Sequence, residues 1–193
     1  SHLNHLRHSY EVVGLDFSEA QLEIARARMP DTTFHQGDML NFDLGRRFDI
    51  VTCLFSSIGY VGSRTHLNET VSNLAKHVKP GGLVIVEPWL TPQSWQPGPL
   101  WANYTDEPDL KIARISTSKF DGRVVILDFH IIIATETKVE HFTEQHELAL
   151  FTEDEYQASF QNAGLTINFD SEGLIGRGLY MGQAPRESEK DNA

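Results

Sequence analysis

The chain has 193 residues, 40% of them hydrophobic, and a formal net charge of -11. That length supports one domain with a substantial core. The acidic balance, with no basic stripe, argues against a DNA or RNA partner, whose phosphates need clustered Lys and Arg. One cysteine leaves no internal disulfide and no cysteine-rich zinc site. The longest apolar run, "IIIA", is far short of the ~20 residues of a membrane helix. No secretory leader is evident, so a cytoplasmic setting is the expectation.

The stretch "YEVVGLDFSEAQLEIARARMP" reads as a strand, an acidic residue and a helix. Val12, Val13 and Leu15 form the apolar run, and Asp16 stands where it ends. Ser18 is the expected N-cap, and Pro30 the stop. "TTFHQGDM" follows as a short strand ending at Gly37-Asp38. "RRFDIVTCLF" is nearly continuous in apolar residues from Phe48 to Phe55, which predicts a strand covered on both faces. Cys53 lies inside it and reads as a small core residue. Residues 65–78 carry Leu67, Val71, Leu74 and Val78 at helical spacing, and Pro80-Gly81-Gly82 is the expected terminator. "LVIVEPW" is the next buried strand. This alternation argues for a parallel sheet with helices on both faces.

The pattern changes after Trp89. "LTPQSWQPGPLWANYTDEP" reads as an irregular loop or lid. Three beta-like runs follow, "LKIARISTSKF", "RVVILDFHIIIAT" and "KVEHFTEQHELALF", with Asp121-Gly122 as a hairpin signal between the first two. Thr152 should cap a helix to about Ala163, with Glu155 completing a capping box and Gly164 ending it. "LTINFD" and "GRGLYMG" are the last strands. The expected division is an α/β domain at 1–92 and 150–184, a lid and antiparallel insert at 93–149, and a charged disordered tail at 185–193.

Four features fall at strand carboxyl ends, where open parallel sheets bind ligands: Asp16, Asp38, the "FSSIGY" segment and Glu87. A carboxylate such as Asp16 can accept from both hydroxyls of a ribose. Phe17 would add an apolar wall. Gly37 lets the backbone turn close to a ligand. Asp38 can accept from an adenine amino group, and Met39 can pack on the ring. These residues describe an adenosine site. The nine histidines do not read as a metal centre. His141 and His146 are five apart in a beta-like run and face opposite sides. His66 and His77 are eleven apart on one helix, and no metal is expected.

"GLDFSEAQLEIARARMP", "HQGDMLNF", "RRFDIVTCLFSSIGY", "VKPGGLVIVEPW" and "GRGLYMG" resemble the class I S-adenosylmethionine-dependent methyltransferases. The general resemblance covers about residues 1–87. A narrower one, carried by "FSSIGY", "PGG…VEPW", "ALFT" and "GRGL", runs to about Gly182. It points to the N,N-dimethyltransferases of nucleotide-linked 3-amino deoxysugars. The resemblance implies a Rossmann-like α/β sheet with an inserted antiparallel sheet, and S-adenosyl-L-methionine as cofactor. It implies a small-molecule acceptor, a sugar nucleotide in the narrower group. It places a Tyr or His at the position of Tyr60 near the transferring methyl, so Tyr60 is the expected catalytic residue. Asp16, Phe17, Gly37, Asp38, Met39 and Phe55 are expected on the cofactor, and Ser57, Glu87, Trp89 and Arg177 on the substrate. The family also has a "DVACGTG" loop and a helical cap just ahead of the segment matching "SHLNHL". The sheet is therefore expected to be N-terminally truncated here, with two unpaired strand edges. The exposed insert sheet is a candidate homodimer face. Three other readings compete: another small-molecule N- or O-methyltransferase, a truncated non-catalytic relative, and an NAD-dependent dehydrogenase, which would also use a strand-end acid.

Overall fold

The computed structural model describes residues 2–98 and 100–187. A short helix α1 (His2–Leu6) leads into β1 (Val13–Asp16), α2 (Glu19–Arg28) and β2 (Thr33–Gln36). Ser18 caps α2 by accepting from the Gln21 amide. β1 and β2 pair in parallel as a two-stranded sheet. β3 (Phe48–Cys53), α3 (Arg64–Lys76), β4 (Val78–Val86), α4 (Glu153–Asn162), β9 (Thr166–Asp170) and β10 (Leu179–Gln183) form a second unit. Its sheet order is β3-β4-β10-β9, with β3 and β4 parallel and β10 antiparallel to both its neighbours. Between β4 and α4 a third sheet is inserted. It is the antiparallel meander β5 (Trp101–Glu107), β6 (Leu110–Asp121), β7 (Val124–Thr135) and β8 (Val139–Ala149).

The main core lies between the four-stranded sheet and α3 and α4. Val84, Val86 and Tyr180 meet Leu67, Val71, Leu74, Tyr156 and Phe160 there. Cys53 is in this core. A smaller cluster of Trp89, Val125, Leu148 and Leu150 joins the insert to the end of β4. The first unit is tied to the second at several points. Asn73 of α3 donates to the carbonyls of Met39 and Phe42. Arg46 pairs with Glu11 at 3.0 Å. The His2 ring of α1 stands 6.4 Å from the Phe55 ring.

The capping box at Thr152 and Glu155 and the turn at Gly122 form as expected. Several details differ from the sequence reading. Trp101–Glu107 is a strand, paired with β6 from Trp101↔Ser116 to Glu107↔Leu110. All seven of its residues are exposed, so no apolar alternation marks it. Helix α3 ends at Lys76, before Pro80, and β4 already begins at Val78. The Pro-Gly-Gly segment is a bulge within β4: Phe48 pairs with Val78, yet Ile50 pairs with Leu83. Gly81 takes φ 76°, and a Cβ on Gly82 would lie 2.5 Å from the Asp49 carbonyl, so both glycines are needed for the bulge.

β3 is not covered on both faces. Val51 and Cys53 point toward the core side, but Asp49, Ile50 and Thr52 are exposed. Among the described residues β3 pairs only with β4, and β1 only with β2. Finally, α3 and α4 pack against each other and against the sheet residues of the main core, so they share one face of it. Of the tail expected at 185–193, residues 188–193 lie outside the described residues.

Candidate active site

The carboxyl ends of β1 and β2 place two carboxylates. Asp16 ends β1 and is exposed. Its Oδ1 accepts the Ser18 amide at 2.9 Å, which shapes the turn into α2. Asp38 follows β2 and is half-buried, and its Oδ1 accepts the Leu40 amide at 2.9 Å. Among the described residues neither carboxylate has a partner for its second oxygen. The two turns are joined directly. The Gly37 amide donates to the Asp16 carbonyl at 3.0 Å, and Gln36 Nε2 donates to the Phe17 carbonyl at 3.2 Å. Gly37 is tightly placed, since a Cβ there would meet Leu15 at 3.0 Å. Phe17 holds its ring outward, 74% exposed. Met39 is half-buried and packs on the main core.

The carboxyl ends of β3 and β4 form a second knot. Phe55 and Ser56 are consecutive non-glycine residues with φ 56° and 61°. Left-handed backbone of this kind costs energy at each residue and persists only when its surroundings hold it. Glu87 supplies one hold: its Oε2 accepts the Phe55 amide at 2.6 Å. Ser56 Oγ donates to the Pro88 carbonyl at 3.0 Å, and Arg177 Nη1 donates to Ser56 Oγ at 3.0 Å. Glu87 is 1% exposed, and its Oε1 has no hydrogen-bond partner. A buried carboxylate oxygen left in this state carries a desolvation penalty, which a ligand donor could relieve. The strained turn thrusts the Phe55 ring outward, 75% exposed. Ser57 Oγ donates to the Leu54 carbonyl at 2.9 Å. Trp89 is 8% exposed and packs in the smaller core cluster.

Residues Ser57–Val61 then make a single 3₁₀ turn. Gly59 allows it to press on the insert, for a Cβ there would sit 2.9 Å from Leu148 of β8. This contact carries Tyr60 to His146, with Tyr60 Oη and His146 Nδ1 at 2.6 Å. Glu144, two residues back on the same face of β8, brings Oε2 to 3.5 Å from His146 Nε2. Burial, with the Glu144 charge added, raises the Tyr60 hydroxyl above its ordinary pKa. Tyr60 therefore stays a neutral hydroxyl at physiological pH.

The structure thus gathers Phe55, Glu87 and Arg177 around Ser56, and joins Asp16 to Gly37. It brings Tyr60 against the insert. Ser56 and His146 are missed by the sequence reading. Alternation along β8 does place His146 on the face of Leu148, which turns toward the rest of the molecule. His141 lies on the opposite face, where it stacks on His130. Among the described residues no group of three or more His, Cys, Asp or Glu could hold a metal ion, and no helix is long and apolar enough to cross a membrane.

A family model described as a methyltransferase domain matches residues 1–82. Over 183 residues the chain is 40% identical to the dTDP-3-amino-3,6-dideoxy-alpha-D-glucopyranose N,N-dimethyltransferase of Streptomyces fradiae. That match covers 94% of this chain and 72% of the relative. It is 39% identical to the dTDP-3-amino-3,4,6-trideoxy-alpha-D-glucopyranose N,N-dimethyltransferase of Streptomyces venezuelae, covering 94% of this chain and 78% of that one. The crystal structure of DesVI from Streptomyces venezuelae superposes with a TM-score of 0.90 at 39% identity, over 95% of this chain and 78% of that chain. The S-adenosylmethionine-bound structure of CalS10, an amino pentose methyltransferase from Micromonospora echinaspora, gives 0.86 at 33% identity, over 94% and 78%. With strand-end acids, antiparallel insert and these similarities together, the chain belongs to the class I S-adenosylmethionine-dependent methyltransferases, in the family of the sugar N,N-dimethyltransferases.

Proposed function

We propose that the chain transfers a methyl group from S-adenosylmethionine to the amino group of a nucleotide-linked amino deoxysugar. The observation that carries this reading is the identity of 40% and 39%, over 94% of the chain, to two enzymes named for that chemistry. The donor set fits the cofactor. Asp16 and Asp38 each keep an oxygen without a protein partner, suited to ribose hydroxyls and to the adenine amino group. The exposed rings of Phe17 and Phe55 offer apolar surface for the nucleoside to cover. Bound S-adenosylmethionine supplies an electrophilic methyl on a cationic sulfur.

The protein's own work is then mainly alignment. A protonated amine cannot attack, so the site must hold the neutral amine with its lone pair free. Tyr60 is the residue we assign to that task, through a hydrogen bond from an amine N–H to its oxygen. Ser57 and Trp89 belong to the acceptor side of the cleft, with Glu87 beneath it. Arg177, exposed and anchored on Ser56, is placed to present its remaining donors to a diphosphate. Residues 1–92 and 150–184 act as the cofactor domain, and 93–149 as lid and insert.

We also assign the outer face of the insert, with Tyr104 and Val139 72% and 70% exposed, to a homodimer contact. Sedimentation of the wild type against Val139→Lys tests that contact. A cytoplasmic setting completes the reading.

The decisive experiment incubates the chain with S-adenosylmethionine and dTDP-3-amino-3,6-dideoxyglucose and follows added methyl groups by mass spectrometry. Methylated sugar nucleotide is expected. Cofactor binding without methyl transfer to any nucleotide-linked amino sugar would overturn the acceptor assignment.

A further inference from the structure

We propose that His146, on the inserted sheet, is the positioning residue behind Tyr60 and receives the proton that the acceptor amine gives up; the inference rests on the methyl-transfer reading above. Three observations carry it. Tyr60 Oη and His146 Nδ1 lie at 2.6 Å, a close hydrogen bond for a hydroxyl donor. Glu144 Oε2 stands 3.5 Å from the other ring nitrogen. The His146 ring is fixed edge-on against Phe129, with centroids 5.2 Å apart. Among the described residues, the charged and titratable groups around His146 are few. Tyr60 faces it from the 3₁₀ turn and Glu144 from β8. Arg114 of β6 stacks on the far partner Phe129, 4.3 Å from its ring centre.

These contacts set the proton inventory. Glu144 favours the proton on His146 Nε2, since a carboxylate attracts an N–H and repels a bare lone pair. Nδ1 is then an acceptor, and the Tyr60 hydroxyl donates to it. With its own proton committed there, Tyr60 offers its oxygen lone pairs to the acceptor amine. That arrangement takes an amine N–H and leaves the nitrogen lone pair for the methyl group.

The step balances without any further reagent. As the N–C bond forms and the C–S bond breaks, the amine becomes an ammonium and the sulfonium becomes a neutral thioether. One ammonium proton passes to Tyr60 Oη while the Tyr60 proton passes to His146 Nδ1. The imidazolium stands opposite Glu144. It loses its proton to solvent through a side chain that is 32% exposed. A site that methylates the same nitrogen twice must clear this proton between transfers, which gives the relay its use.

The test compares wild type with His146→Gln, which keeps an acceptor for Tyr60 but cannot carry a proton, and with His146→Phe, which keeps neither. Turnover of dTDP-3-amino-3,6-dideoxyglucose is measured against pH, with circular dichroism to verify folding. Both variants should lose about tenfold or more in kcat, with KM for S-adenosylmethionine unchanged. The amine ionisation should persist in all three proteins, while the acid side of the wild-type profile should differ in shape from that of both variants. In parallel, 15N NMR of the wild type should find the neutral His146 ring carrying its proton on Nε2, with the Nδ1 signal moving on Tyr60→Phe. His146→Gln turning over at the wild-type rate and with the wild-type profile, or the proton of the neutral ring found on Nδ1, overturns the relay. Should wild type itself not turn over, the acceptor assignment fails, and the NMR measurement alone decides the Tyr60–His146 relation.

Discussion

The Glu87 carboxylate, at the end of β4, accepts the Phe55 amide at 2.6 Å and so holds the strained turn that ends the neighbouring strand β3. The bond links a buried carboxyl group to two left-handed residues in succession. Glu87→Ala would leave the Phe55 amide without its acceptor and the turn without its clamp. The expected loss is about 1–3 kcal/mol of folding stability, read from urea denaturation. A loss below about 0.5 kcal/mol, in the range of ordinary surface substitutions, would mean that other contacts hold the turn.

Asp16 makes a separable prediction about the cofactor. Its Oδ1 already serves the Ser18 amide, so its remaining oxygen is the one available to a ribose. Asp16→Ala should weaken S-adenosylmethionine by about 1–3 kcal/mol in calorimetry, as charged hydrogen bonds are lost. Asp38→Ala should weaken it less, because the adenine keeps its apolar contacts. If Asp38→Ala left the cofactor untouched and removed acceptor binding, the adenine would not lie at Asp38.

Cys53 tests the core directly. Burial pushes its thiol up to about 12, only partly offset by the Ile58 backbone. The reactive thiolate is then scarce near neutrality. Cys53 should not react with a water-soluble disulfide reagent in the native protein and should react promptly in denaturant. Prompt native reaction would show that β3 opens readily from its exposed edge.

How much of this was legible in the sequence depends on how local each feature is. The Thr152–Glu155 box is four residues long and could be read by eye. So could the Asp121-Gly122 turn and the Asp16 strand end. Trp101–Glu107 could not, because an edge strand exposed along its whole length carries no period. The Phe55–Ser56 turn was hidden for another reason. Non-glycine residues rarely take positive φ, and what holds them there, Glu87 and Arg177, is distant in the chain. Tyr60 was readable through its family resemblance. Its partner His146 lies 86 residues away and meets it only because Gly59 lets the turn press on β8.

The Arg123–Glu155 fork predicts an acid weakness where the insert joins α4. Both guanidinium nitrogens reach the carboxylate at 2.8 Å, and Glu155 also accepts the Thr152 amide. Burial pushes the Glu155 carboxyl up, but Arg123 and the Thr152 amide outweigh it and hold it below its ordinary 4.5. A lowered folded pKa adds stability that is fully present above the unfolded value and is lost as pH falls through the folded one. The melting temperature should therefore fall more steeply below about pH 4.5 in the wild type than in Glu155→Gln. Parallel acid limbs for the two proteins would show that Glu155 contributes nothing to acid sensitivity.

Tyr60→Phe measures how much the hydroxyl itself contributes. Alignment of two bound reactants can supply most of the acceleration of methyl transfer, because the sulfonium leaving group is already activated. Removing one orienting hydroxyl should slow the reaction without abolishing it. The ring, 51% exposed and packed beside His146, should keep its place. We expect kcat to fall by about tenfold to a hundredfold, about 1.4–2.7 kcal/mol, with cofactor affinity unchanged. The amine ionisation should persist in the pH profile, since that proton belongs to the substrate. A loss beyond about 10⁴-fold, at the upper end for deletion of a general base, would make Tyr60 an essential base and alignment a minor contributor. An unchanged kcat would reduce Tyr60 to a wall of the cleft.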